Sequence, residues 1–292
     1  MRRILSILML IILISCNRDS SDPGTRIITV SIAPFRYFVT GIAGDDFSVN
    51  VMVPSGANPH IYEPYPRQIA RLRKSVAYIS NGYLGFEMAW LERFYEMNKT
   101  MLKLSVGERI EPIASGHGHG NEINHTEAAD PHYWVSPKCA RIIASSVRDL
   151  LCELNPGANA KYEKNCSEVI MKIDEVDKKA QSLFSEVKGM HFMIFHPNLA
   201  YLARDYGLGE IAVEFEGKEP PPSRLKELID LAAEENINTI FVQKEYDSRN
   251  ARTIAAEIGA EIRVIDPLSE NWLESTLDII NGLYNSLTKG RK

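Results

Sequence analysis

Several familiar devices are missing from this chain, and each absence removes a class of function. No GxGxxG follows a strand-like run and there is no GxxxxGK[ST], so neither common phosphate-cradling turn for dinucleotides or nucleoside triphosphates is present. There is no HExxH, the helical ligand pair with a built-in general base, so the simplest route to a zinc hydrolase is closed. Positive charge is not in excess. Lys and Arg number 33 against 38 Asp and Glu, a formal charge of −5, which argues against a nucleic-acid partner and suits a cationic ligand better. Histidine and cysteine are scarce, at seven and four, so any cluster of them carries information. What is there is ordinary globular material: 45% hydrophobic and 24% charged residues exclude a disordered chain or a multi-span membrane protein. The 292 residues allow one large domain or two of common size.

The exception to that composition is the start. In MRRILSILMLIILISC, two arginines precede about twelve mostly apolar residues, too few for an ordinary spanning helix but right for the apolar part of a secretory signal. Leu13-Ile14-Ser15-Cys16 resembles the bacterial lipobox, in which the cysteine is lipidated and becomes the new N-terminus. The expectation is a signal peptide over 1–15, lipidation at Cys16 and a polar tether over 16–25. Losing Arg2 and Arg3 would take the formal charge to −7. Cys139, Cys152 and Cys166 then remain, an odd number for an oxidising compartment. Cys139 and Cys152 lie too far apart on one expected helix to bridge. Cys152 and Cys166 flank the Asn155-Pro156-Gly157 break and either pair or serve as small buried apolar residues.

From Arg26 onward, strand-like and helix-like runs alternate. IITVSIA, FSVNVMV and VAYIS read as strands, FRYFVTGIAG and EMAWLERFYEMN as helices, and Ile69–Arg73 as part of another helix, a pattern that predicts a parallel α/β unit. Ser136-Pro137 is a helix start, cap then first turn, for KCARIIASSVRDLLCEL. Residues 158–187 contain no proline or internal glycine. Tyr162, Cys166, Ile170, Ile173, Val176, Ala180, Leu183 and Val187 recur there at steps of three and four, predicting one amphipathic helix. HFMIF, EIAVEF, TIFV and EIRVI then resume the alternation. The reading is an α/β fold of two lobes with parallel sheets, 26–157 and 188–292, joined by one long rigid helix over 158–187; a single doubly wound domain with that helix on one face is the alternative.

Ligands of open α/β sheets sit beyond the carboxyl ends of strands. That rule selects His60 in PSGANPHIYEP, His132 in ADPHYWVSP, His196 in FHPNLAY and Asp266 in VIDPLS. Each alone reads equally as a turn residue beside proline. Together they make a tetrahedral N/O donor set of the kind zinc accepts, with bonds of about 2.0–2.2 Å. His191 opens a strand at the opposite end and reads as structural. His117, His119 and His125 lie in a glycine-containing acidic loop, 115–130, with no apolar period. With Glu122, Glu127 and Asp130 they either hold metal loosely or form a plain solvated loop. Glu214, Glu216 and Glu219 are placed to support ligand imidazoles.

The order lipobox, GANPHIYEP, His-containing loop, ADPHYWVSP, FHPNLAY, EFEGKEPPPSRLKELID and VIDPLS resembles the zinc- and manganese-binding lipoproteins of ATP-binding cassette metal importers, the cluster A-I solute-binding proteins. The resemblance implies two Rossmann-like lobes on a rigid helix, with metal bound between them by His60, His132, His196 and Asp266. In the manganese members the third ligand is usually glutamate, so His196 points to Zn2+, with Mn2+ the alternative. In some zinc members water replaces the fourth ligand. The implied partners are a permease with its cytoplasmic ATPase, and the membrane through the lipid at Cys16. The implied state is a monomeric, non-enzymatic binding protein outside the cytoplasm, on the periplasmic or cell-surface side. Neutral imidazole is the binding form, so affinity is expected to fall as pH drops through about 6.5.

Overall fold

β-Branched and aromatic runs fall where parallel strands need them. In the computed structural model, which describes residues 26–113, 129–214 and 220–289, the first lobe runs β1 (Arg26–Ile32), α1 (Ala33–Ala43), β2 (Phe47–Val53), α2 (Pro66–Leu72), β3 (Ser75–Ser80), α3 (Gly85–Met97) and β4 (Leu102–Ser105). Its four strands are all parallel in the order β2-β1-β3-β4. Both faces of β1 are covered. Ile28, Val30 and Ile32 are fully buried on one face, and so are Thr29 and Ser31 on the other. Buried hydroxyls need partners. Thr29 Oγ1 lies 2.7 Å from Ser75 Oγ and accepts the Asn50 side-chain amide at 3.0 Å, which stitches β1 to both neighbours.

Helix α4 (Pro137–Leu154) starts as the sequence predicts, Ser136 Oγ accepting the backbone N–H of Lys138 and Cys139. The long helix α5 (Asn159–Ser185) follows and spans about 40 Å at 1.5 Å per residue. Its buried stripe is turned slightly from the predicted one: Val169 and Phe184 are in the core, while Ile170 and Leu183 sit at its margin. A step of 3.6 residues permits either neighbour, and packing on α1 and α4 decides. Cys139, Cys152 and Cys166 are all free thiols, and Cys139 and Cys166 are buried among apolar side chains.

The second lobe repeats the first: β5 (His191–Ile194), α6 (Ala200–Tyr206), β6 (Gly209–Ala212), α7 (Pro222–Glu234), β7 (Thr239–Gln243), α8 (Ser248–Ile258), β8 (Glu261–Ile265) and α9 (Trp272–Thr288), with parallel strands in the order β6-β5-β7-β8. Strand β4, with the short run LKLS, is the one strand not expected from the sequence pattern. In both sheets the order reverses beside the first strand, at β1/β3 and β5/β7, which opens a crevice for a ligand at the strand ends. The lobes are also tied. Trp272, at the head of α9, packs on Tyr37 and Phe38 of α1 with ring centroids 5.9 and 5.5 Å away, and its indole donates to the Trp134 carbonyl at 2.6 Å. Among the described residues no helix is long and apolar enough to cross a membrane.

Candidate metal centre

Three loops, each rooted in a different strand end or helix cap, bring His60, His132 and His196 together. His60 is carried by the loop after β2. Its backbone N–H is accepted by Asn58 Oδ1 at 2.9 Å, and the loop returns past the start of α3 so closely that a Cβ on Gly85 would lie 2.6 Å from the His60 carbonyl oxygen. Only glycine fits there. Gln68 of α2 pins the base of the loop: its amide donates to the Val51 and Met52 carbonyls at 2.8 and 2.7 Å, and its oxygen accepts from Tyr62 and from the Tyr65 backbone.

His132 is buried, at 4% exposure, just ahead of the α4 cap. Asp130 Oδ1 accepts both its backbone N–H, at 2.7 Å, and its ring Nδ1–H, at 2.9 Å. The Asp130 carbonyl in turn accepts from the Tyr201 hydroxyl, and the Pro131 carbonyl from the Asn81 side chain. In the sequence Asp130 stands at the end of the acidic loop. In the structure it is a buried partner of His132, a relationship visible in the sequence only as an Asp-x-His spacing. His196 follows β5. Its Nδ1–H is accepted by Glu214 Oε2 at 2.5 Å, and its ring stacks on Tyr246 at 4.9 Å with planes 19° apart.

With Nδ1 of His132 and His196 committed to carboxylates, each Nε2 is left as a lone-pair donor facing the cleft. His60 Nε2 lies 3.1 Å from His196 Nε2, and the three rings' ligating atoms all fall within 4.8 Å of one another. Two nitrogens bonded to one tetrahedral zinc at 2.0–2.1 Å would sit ~3.3 Å apart, close to the 3.1 Å between His60 and His196. Two carboxylates behind three neutral imidazoles also match the charge of a dication.

Burial favours the neutral form of His60 and His196. It lowers the His60 pKa to about 3, with the neighbouring His132 and His196 adding to the effect. Burial also lowers that of His196, against the opposing pull of its hydrogen bond to Glu214. Desolvation pushes the Asp130 carboxyl up, but its charge interaction and hydrogen bonds with His132 outweigh this and the net shift is downward.

Asp266 follows β8 but is not in the cluster of ligating atoms. Its carboxylate accepts from Ser55 Oγ at 2.9 and 3.2 Å and pairs with Lys244 Nζ at 3.2 Å. His191 lies at the start of β5, away from this group, with Nδ1 2.9 Å from Glu235. His117, His119, His125, Glu122, Glu127, Glu216, Glu219 and Cys16 fall outside the described residues. Tyr246, Lys244 and Ser55 were not anticipated, and nothing local in the sequence marks them.

A family model described as the zinc-uptake complex component A, periplasmic, matches residues 28–289. The chain belongs to the ZnuA family. A crystal structure of ZnuA superposes with a TM-score of 0.82 at 34% identity, covering 90% of this chain and 99% of that one. A ZnuA variant lacking residues 138–173 of its own sequence, with zinc bound, gives 0.82 at 35%, covering 90% and 98%. In sequence, the zinc-binding lipoprotein AdcA of Streptococcus pneumoniae is 29% identical over 94% of this chain, which spans only 56% of that protein's length. A putative metal-binding protein of Treponema pallidum is 24% identical, covering 90% of this chain and 87% of its own. The ZnuA family is described by uptake, not by catalysis.

Proposed function

We propose that this protein captures zinc outside the cytoplasm, in the cleft between its lobes, and delivers it to an ATP-binding cassette permease. The observation that carries the reading is the three-imidazole cluster, two members of which are backed by buried carboxylates at hydrogen-bonding distance. His60, His132 and His196 bind the ion through nitrogen. The fourth position is left to water, since Asp266 is engaged by Ser55 and Lys244. Manganese, which prefers oxygen donors and binds most weakly in the first-row series, is the poorer cargo for this set. The zinc-bound ZnuA structure and the AdcA name support zinc.

Residues 1–15 are removed, Cys16 carries the lipid, and 16–25 tether a monomeric body to the membrane. The lobes divide as 26–157 and 188–292 about a linking segment at 158–187. His117, His119 and His125 raise the local concentration of zinc around the protein. Titration of a soluble form, residues 21–292, with zinc and with manganese against a chelator of known affinity tests the core of the proposal. The expected result is one tight zinc equivalent, weak manganese binding, and a loss in His196→Ala exceeding the 10–100-fold that removal of a supporting partner costs. Tight manganese binding or an indifferent variant would overturn it.

A further inference from the structure

Asp266 is held in place through both its carboxylate and its backbone carbonyl. Its neighbour Lys244 is delivered by the sheet itself. Strands β7 and β8 pair in parallel with Gln243 opposite Ile265, and the Lys244 N–H continues the ladder to the Ile265 carbonyl at 2.9 Å. The next step along each strand puts the Lys244 ammonium 3.2 Å from Asp266 Oδ2. Across the cleft, Ser55 reaches both carboxylate oxygens from the same loop that carries His60. The backbone is fixed as well: the Asp266 carbonyl accepts from Ser275 Oγ, and the Pro267 carbonyl accepts the Trp134 indole N–H at 2.9 Å.

We propose that Lys244 and Ser55 hold Asp266 as a tie between the lobes, outside the ion's coordination shell, and that Lys244 is thereby a residue that sets the preference for zinc over manganese. The inference rests on the three-histidine reading above and deepens it. Charge balance supports it. A dication on three neutral imidazoles is already matched by Asp130 and Glu214, and a third carboxylate drawn into the shell would leave the site anionic and Lys244 without its partner. Chemistry supports it too. A carboxylate ligand is the hard oxygen donor that would favour manganese, so a cation that occupies Asp266 keeps the donor set nitrogen-rich. Ser55 supplies directional hydrogen bonds, and Lys244 supplies the charge.

The test is a set of zinc and manganese titrations against competing chelators on the wild type, K244M, K244R, D266N and the double variant K244M/D266N. D266N should leave zinc affinity within about a factor of three, because the Asp266 carboxylate is already paired with Lys244 and Ser55 and lies outside the three-histidine group. K244M should raise manganese affinity by about tenfold or more as Asp266 becomes available to ligate. Adding D266N to K244M should abolish that gain, and K244R, which keeps the charge, should behave as the wild type. Lys244 is more than half exposed, so K244M should fold; a thermal scan of the metal-free variant checks this, and K244Q replaces it if it does not. A loss of tenfold or more in zinc affinity with D266N, or a manganese affinity unmoved by both K244M and K244Q, would overturn the inference while leaving the zinc reading intact. Failure of the wild type to bind one equivalent of zinc would overturn the zinc reading itself.

Discussion

A metal-binding histidine is better oriented and more basic when the N–H of its other ring nitrogen has an acceptor. Asp130 and Glu214 provide that acceptor for His132 and His196, fixing the tautomer and making Nε2 more basic. Glu214→Gln should therefore reduce zinc affinity by about 10–100-fold, measured by chelator competition, without loss of fold. Burial has a second effect, on pH. An unfolded histidine takes its proton near pH 6.5, whereas folded His60 does so only near 3. Between those values the unfolded chain binds more protons, so the stability contributed by the neutral ring is full above about pH 6.5 and declines as pH falls toward 3. Thermal midpoints of the metal-free protein should fall over that window. For His60 itself, proton competition for the metal is displaced in the same direction, which equilibrium dialysis of zinc across about pH 4–7 would read.

At the scale of elements, helix α5 is held by the stripe Tyr162, Cys166, Val169, Ile173, Val176, Ala180 and Phe184. Phe184 is fully buried, so Phe184→Ala should cost about 3–5 kcal/mol in urea unfolding. Met171 is 58% exposed, and Met171→Ala should change stability by no more than about 0.5 kcal/mol. The sequence made this helix legible because its period is local and uninterrupted. It placed Ile170 and Leu183 in the core where Val169 and Phe184 stand, because a stripe's rotation depends on what it packs against. Strand β4 was missed for a similar reason: LKLS carries a charge and little apolar length, and its strand character comes from pairing with β3.

For the whole molecule, the lobes are joined by more than a helix. Trp272 inserts into the aromatic surface of α1, and the two indoles hydrogen-bond in relay from Trp272 to the Trp134 carbonyl and from Trp134 to the Pro267 carbonyl. Trp272→Ala should destabilise the protein by about 3–5 kcal/mol, read from denaturant unfolding, and should loosen the cleft as well as the second lobe. A continuous helix also resists bending at its middle, so metal exchange is expected to proceed by shifts in loops such as that of His60, with little change in the distance between lobes.

Local information in the sequence determined a good deal: which runs become strands, where α4 is capped, that α5 is unbroken, and that His60, His132 and His196 stand beside prolines at loop mouths. These follow from short-range chemistry, namely side-chain periodicity, capping and backbone restriction by proline. Only the tertiary structure decided which groups face one another. Asp130 belongs to His132, Tyr246 lies flat against His196, and Asp266 answers to Ser55, 211 residues away, and to Lys244 across a sheet register. Contacts of that kind have no local signature. They exist because two sheets of the same winding present their strand ends to each other across one cleft.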